Sequence, residues 1–354
     1  MKIFYAIQAT GNGHISRARQ LLPWLSKYGE VDFFLSGDNW NLDPGIPVKF
    51  RSKGLSLYYN NSGGLDYLRI AKAFQPLRIK KEIRDLPVEK YDLVINDFDY
   101  ITAAACAKKK ITSVGWSHQA SFQSQLTPRT SGKHWIGEYV LKNFARATSY
   151  VGLHFKKYDD FIFTPVIKQQ IREAEPQNLG HITVYLPAWP EWLLLLVFRA
   201  IKHVPFQIFS REARMVKHFG HITIFPIQSD VFNKSFTTCY GIITGGGFET
   251  PAEALHMGKK IMTVPIPGQY EQACNAAALR HWGIPVASLR NTGLTVSLED
   301  WLNSPAPSPA NFPCVIQDCI EYILSLQLKK TDIVNQPGPS LLLPPKLVSD
   351  FTVN

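Results

Sequence analysis

The sequence predicts an α/β protein made of two doubly wound domains, each a parallel sheet with helices on both faces. Three observations carry this. Short apolar, strand-like runs alternate with helix-periodic segments along most of the 354 residues, the pattern of βαβ units. A chain of this length can bury two separate cores. Between the two series, over residues 164–180, periodicity fails, and Pro165, Pro176 and several charges mark a linker. The expected division is an N-terminal domain over 1–163, this linker, a C-terminal domain over 181–335 and an irregular, proline-rich tail over 336–354.

Each element has a local reason. Residues 2–9 read as the first strand and 15–28 as the helix after it, with strands at 31–36 and 48–51. Residues 70–84 carry helical periodicity and stop before Pro87, because the residue preceding a proline is steered out of the helical region. A short buried strand at 93–96 ends at Asp97, a small-residue helix follows over 101–109, and 111–116 is another strand. From 120 to 165 the pattern gives no motif. The second series has strands at 181–186, 206–210, 222–225, 241–244 and 260–264, and a helix over 271–282.

Hydrophobic content of 45% against 19% charged residues describes a folded globular chain. The five cysteines include no C-x-x-C pair, which argues against a metal cluster or disulfide framework and for the reducing cytoplasm. The opening strand is too short for a signal peptide. The longest apolar run, 192–198, falls far short of the roughly 20 residues that cross a bilayer. Net charge is +10, with basic residues clustered at Arg69, Lys72, Arg78, Lys80, Lys81 and Arg84 and again at 108–110. No nucleic-acid-binding module accompanies them, so nucleic acid is not an expected partner. The cluster is either a solvated basic face or a surface for peripheral contact with anionic membrane.

The most informative run is 241–258. An apolar strand leads into Gly245, Gly246 and Gly247, and a helix opens at Thr250 and Pro251. Glycines let the backbone turn sharply with its N–H groups uncovered, and a helix N-terminus adds a positive dipole end, so the turn is suited to phosphate. Glu253, one turn on, is placed to accept hydrogen bonds from a sugar beside that phosphate. A second polar cluster, Glu271, Gln272 and Asn275, enters the next helix. Together these suggest a nucleotide-sugar site, although one glycine-rich turn alone also fits an ordinary βα connection.

The N-terminal half has its own loop at the carboxyl end of the first strand, with Gly11, Gly13, His14, Arg17 and Arg19. Ser16 occupies the third glycine position of a dinucleotide fingerprint, and Asp38 is the only acid near the end of the second strand, so NAD is disfavoured. Asp97 ends a strand beside the same cleft; it orients His14, acts as a base itself, or caps the next helix, a role Asp99 fits better by position. His118 follows another strand end and is read as lining the acceptor side.

These runs resemble the donor signature of GT-B glycosyltransferases, above all family 28, the MurG-like, UDP-sugar-dependent enzymes. Glu253 and Gly258 keep the family's glutamate-to-glycine spacing for holding ribose, and Gln272 with Asn275 keep the Gln-x-x-Asn spacing that clamps the transferred sugar. Gly13-His14 is similar to the Gly-His pair of the first loop, whose histidine takes the acceptor's proton; the alternative is a histidine that only caps its helix. Ile227 lies at the strand-end spacing where related enzymes read uracil. Three departures stand out. Arg17 replaces the usual proline, which suggests an anionic acceptor bound by Arg17 or Arg19. The loop at 187–191 lacks the family's glycines and arginine. Glu249 beside a diphosphate is unexpected and is read as capping the helix and pointing away.

The resemblance implies a GT-B fold, two Rossmann-like domains facing a central cleft, with the acceptor held by the first and a UDP-linked sugar by the second. It implies direct displacement with inversion, no cofactor and no metal, because the helix end assists departure of the diphosphate. The acceptor is open and includes lipid-linked ones. A UDP-sugar 2-epimerase of the same fold and a non-catalytic sugar-nucleotide sensor are the alternatives.

Overall fold

The computed structural model describes residues 1–9, 12–37, 44–55, 75–132, 134–289 and 294–328. Gly11, Asp38, Arg69, Lys72 and the tail lie outside them.

Seven parallel strands form the first sheet: β1 (Lys2–Gln8), β2 (Glu30–Ser36), β3 (Val48–Ser52), β4 (Leu93–Asp97), β5 (Val114–Ser117), β6 (Ser149–Leu153) and β7 (Ile162–Phe163), in the spatial order β3-β2-β1-β4-β5-β6-β7. Helices α1 (Asn12–Leu25), α2 (Pro76–Asp85), α3 (Tyr100–Lys109) and α4 (Trp135–Asn143) connect them. Strand β1 is buried from Ile3 to Gln8. Alternate residues therefore serve two cores: Phe4 and Ala6 face Phe34, Val94 and Ile101, while Ile3, Tyr5 and Ile7 face Phe33, Ile95 and helix α1. Helix α2 ends at Asp85 ahead of Pro87. Asp99 caps α3, accepting the Thr102 N–H at 2.6 Å.

A short helix α5 (Gln169–Arg172) lies between the sheets. The second sheet comprises β8 (Ile182–Tyr185), β9 (Phe206–Ser210), β10 (Lys217–Phe219), β11 (Ile222–Pro226), β12 (Gly241–Thr244) and β13 (Lys260–Thr263), ordered β10-β11-β9-β8-β12-β13. Only the β10–β11 pair is antiparallel. Its helices are α6 (Glu191–Phe198), α7 (Ser229–Thr238), α8 (Glu249–His256), α9 (Tyr270–Arg280) and α10 (Leu294–Asn303). Each sheet reverses strand order once, between β1 and β4 and between β8 and β12, and such switch points are where open α/β sheets bind ligands.

The final helix, α11 (Ile316–Leu328), does not stay with the second sheet. It packs on α1 and β6, with Tyr322 against Phe163 and Gln317 donating to Tyr28 Oη at 2.8 Å. One apolar cluster runs from β1 and α1 through α11 into α7, α8 and β12, so the two domains share part of their core.

Candidate active site

The loops after β1, β4 and β12 meet. His14 stands on the first turn of α1, and Asp97 is the last residue of β4, fully buried. Phe98, at φ 60°, turns the chain so that Asp97 faces the cleft while Asp99 turns back to its helix. The run from Asp97 to Asp99 thus has Asp-x-Asp spacing, but its two carboxylates serve separate partners. His14 Nδ1 lies 2.8 Å from Asp97 Oδ1. An ionised carboxylate only accepts, so the shared proton sits on Nδ1, and Nε2 is the nitrogen that can exchange a proton with a substrate.

Arg17 lies one turn after His14 on the same face of α1. Its Nη2 donates to both Asp97 oxygens, at 2.6 and 2.7 Å, and its Nη1 donates to Glu249 Oε1 of the other domain. Burial alone would push the Asp97 carboxyl up, but the charges of Arg17 and His14 outweigh it and hold Asp97 below the ordinary range. At Glu249 burial wins over Arg17, and the carboxyl is pushed up to about 7. Two expectations are corrected here. Glu249 neither caps α8 nor points away, since the cap residue is Phe248 and Glu249 reaches across the cleft. Arg17 is no free anion receptor: two carboxylates of the protein itself occupy it, while Arg19 Nε turns aside to Pro44 O at 2.8 Å. Gly13 permits this closeness, because a Cβ there would stand 2.9 Å from Glu249 Cγ.

The glycine turn is held from behind. Gln272 Oε1 accepts the N–H groups of Gly246, at 3.1 Å, and Ile266, at 2.9 Å. Asn275, fully buried, donates to Gly246 O at 3.0 Å, and its Oδ1 lies 2.6 Å from His118 Nε2. His118 continues the chain to Leu153 O at 2.9 Å and stacks on Phe248 with ring centroids 4.0 Å apart. Burial pushes its imidazole down to about 4, and a neutral ring has a single N–H, which serves either Leu153 O or Asn275 Oδ1. Both ends of the Asn275 amide are turned to the protein, and His118 is buried. Neither is presented to a ligand as the sequence suggested; they join the two domains behind the turn. The Gly246 N–H is likewise taken by Gln272.

The front of the turn is open: a Cβ at Gly247 would meet nothing within 4 Å, and at Gly245 nothing nearer than 3.5 Å. Thr250 is partly exposed at the second position of α8. Glu253 is buried, with Lys168 Nζ at 3.1 Å from Oε2, and burial raises its carboxyl despite that lysine. Glu271 accepts from Gln119 Nε2 at 3.1 Å, and burial raises it as well. Ile227 follows β11, which β9 and β8 separate from β12, so it sits apart from the turn. Lys168 and Gln119 went unnoticed in the sequence because isolated polar residues in motif-free stretches carry no signal.

Two doubly wound sheets with their switch points turned to a common cleft define a GT-B glycosyltransferase. The family model described as glycosyl transferase family 1 matches residues 1–292, and the chain belongs to that family. No curated protein matches it. Among solved structures it is similar to MurG of Acinetobacter baumannii, at 14% identity and a TM-score of 0.53, over 92% of this chain and 99% of that one. It is also similar to UGT89C1 of Arabidopsis thaliana complexed with UDP-L-rhamnose, at 11% identity and a TM-score of 0.55, over 93% and 96% of the two chains. At these identities the likeness is one of fold, and it includes the MurG-like architecture that the sequence motifs suggested.

Proposed function

We propose that this glycosyltransferase moves a sugar from a nucleotide diphosphate, UDP in the reading the sequence supports, to an acceptor hydroxyl with inversion. The observation that carries the proposal is the His14–Asp97 pair at the first switch point, facing the open glycine turn and helix N-terminus of the other domain. The acceptor oxygen attacks the anomeric carbon, its proton passes to His14 Nε2, and the diphosphate leaves with the bonding pair. Gly245, Gly247, Thr250 and the dipole of α8 receive that charge. Asp97 fixes the imidazole and stabilises its protonated form, as Arg17 keeps Asp97 ionised. Glu253 is the ribose ligand, which requires it to exchange Lys168 for the donor. The chemistry needs no metal or cofactor. The acceptor is a hydroxyl compound, lipid-linked or anionic; Arg17 gives no support to the anionic case.

The test is turnover of UDP-sugars with and without acceptor. His14→Ala should lower kcat by roughly 10²–10⁴-fold, the usual loss for a general base, and leave UDP affinity unchanged in calorimetry. Asp97→Asn should lose less. A His14→Ala enzyme that keeps more than about a third of wild-type kcat makes His14 a loop residue. Interconversion of a UDP-sugar without acceptor would establish the epimerase reading instead.

A further inference from the structure

We propose that the exposed face of α6 and the segment before β10 form a docking surface for an anionic lipid membrane, at the cleft end of the C-terminal domain. Every residue of α6 after Glu191 is apolar, and a helix apolar all round belongs in a core or a lipid phase. Only Leu194 and Phe198 are buried. Trp192 and Leu196, four residues apart and so on one face, are 61% and 66% exposed.

The segment before β10 lies against the start of this helix. Lys217 Nζ is 2.7 Å from Glu191 Oε1, and the Glu191 N–H donates to Glu212 Oε2 at 3.1 Å. Met215 and Val216, next to Lys217 in sequence, are 68% and 46% exposed. Four large apolar side chains therefore project from one region. Arg199 and Lys202, after α6, and Arg211 and Arg214, before β10, are exposed, and residues 191–219 hold five lysines and arginines against two glutamates. An apolar surface containing tryptophan and flanked in the chain by exposed cations matches the interfacial zone of a bilayer with anionic headgroups.

Both segments leave the carboxyl ends of their strands, β8 and β9, on the edge where β12 delivers the glycine turn. Docking there brings the cleft mouth to the membrane, which selects a membrane-resident acceptor. This consequence rests on the function proposed above; the docking itself does not.

The test is sedimentation of the full chain with vesicles of phosphatidylcholine alone, or with roughly a quarter phosphatidylglycerol. Wild type should bind the anionic vesicles at least about tenfold more tightly than the neutral ones, and less tightly as salt rises. Trp192→Ser with Leu196→Ser, and separately Met215→Ser with Val216→Ser, should each weaken binding at least about tenfold, with thermal midpoint and UDP affinity unchanged. Vesicle binding equal to wild type in both double variants overturns the proposal, as does a wild type that ignores the anionic vesicles. A concentration-dependent dimer abolished by these substitutions assigns the face to a second copy and also overturns it. Vesicle binding as expected by a chain with no UDP affinity keeps the docking surface and removes the donor assignment.

Discussion

Arg17 and Glu249 are two of the three departures from the family the sequence resembles, and they bond to each other. Their partnership was illegible in the sequence because 232 positions separate them. His14 and Asp97 were legible, since both follow strand ends that hydrophobic runs mark plainly. The Glu249 carboxyl, raised to about 7, gives a testable pH dependence. A folded-state value above the ordinary one adds stability below about pH 4.5 that is lost as pH rises through about 7. The full difference corresponds to about 3 kcal/mol. Wild-type unfolding free energy should therefore fall between pH 5 and 7 by an amount that Glu249→Gln removes; denaturant titrations at the two pH values check it. Glu253 gives a second expectation. Losing a charge-assisted bond pair costs about 1.5–3 kcal/mol per bond, so Glu253→Ala should weaken UDP at least tenfold in calorimetry.

At the scale of elements, most strands fall within a residue or two of their sequence-based positions, because most contain a short stretch rich in apolar and β-branched residues with polar residues near its ends. Residues 120–165 were opaque. Helix α4 there buries only Leu141 and Asn143, Leu141 partly against Cys274 of the far domain, and a Cβ on its Gly137 would overlap the Tyr270 ring. Such a helix has no clean amphipathic stripe to read. The Gln-x-x-Asn spacing in α9 was visible, but its role was not, because spacing does not say which way a side chain turns. As Gln272 and Asn275 brace Gly246, Gln272→Ala and Asn275→Ala should weaken UDP and UDP-sugar alike, by tenfold or more for the buried Asn275. Parallel calorimetric titrations would show a loss confined to the sugar if they read the hexose.

For the molecule as a whole, α11 crosses from the second domain to the first and closes their common core. Its contribution is testable through Ile323, which is 1% exposed. Ile323→Ala should lower the unfolding free energy by about 2–5 kcal/mol, and a calorimetric scan should show the N-terminal domain losing stability with the rest. The double winding was readable from the order of strand-like and helix-like runs. The crossing was not, since nothing in an amphipathic helix of thirteen residues names the sheet it covers.

That crossing sets the rule for making chimeras. Anyone exchanging acceptor and donor halves between related enzymes would cut once, in the connection after Phe163. Here a single cut leaves the incoming N-terminal half facing a foreign α11, and its apolar surface mismatched. The transplantable unit is discontinuous: residues 1–163 must travel with 316–328, so a working hybrid needs two junctions, the second in the segment between Asn303 and Ile316.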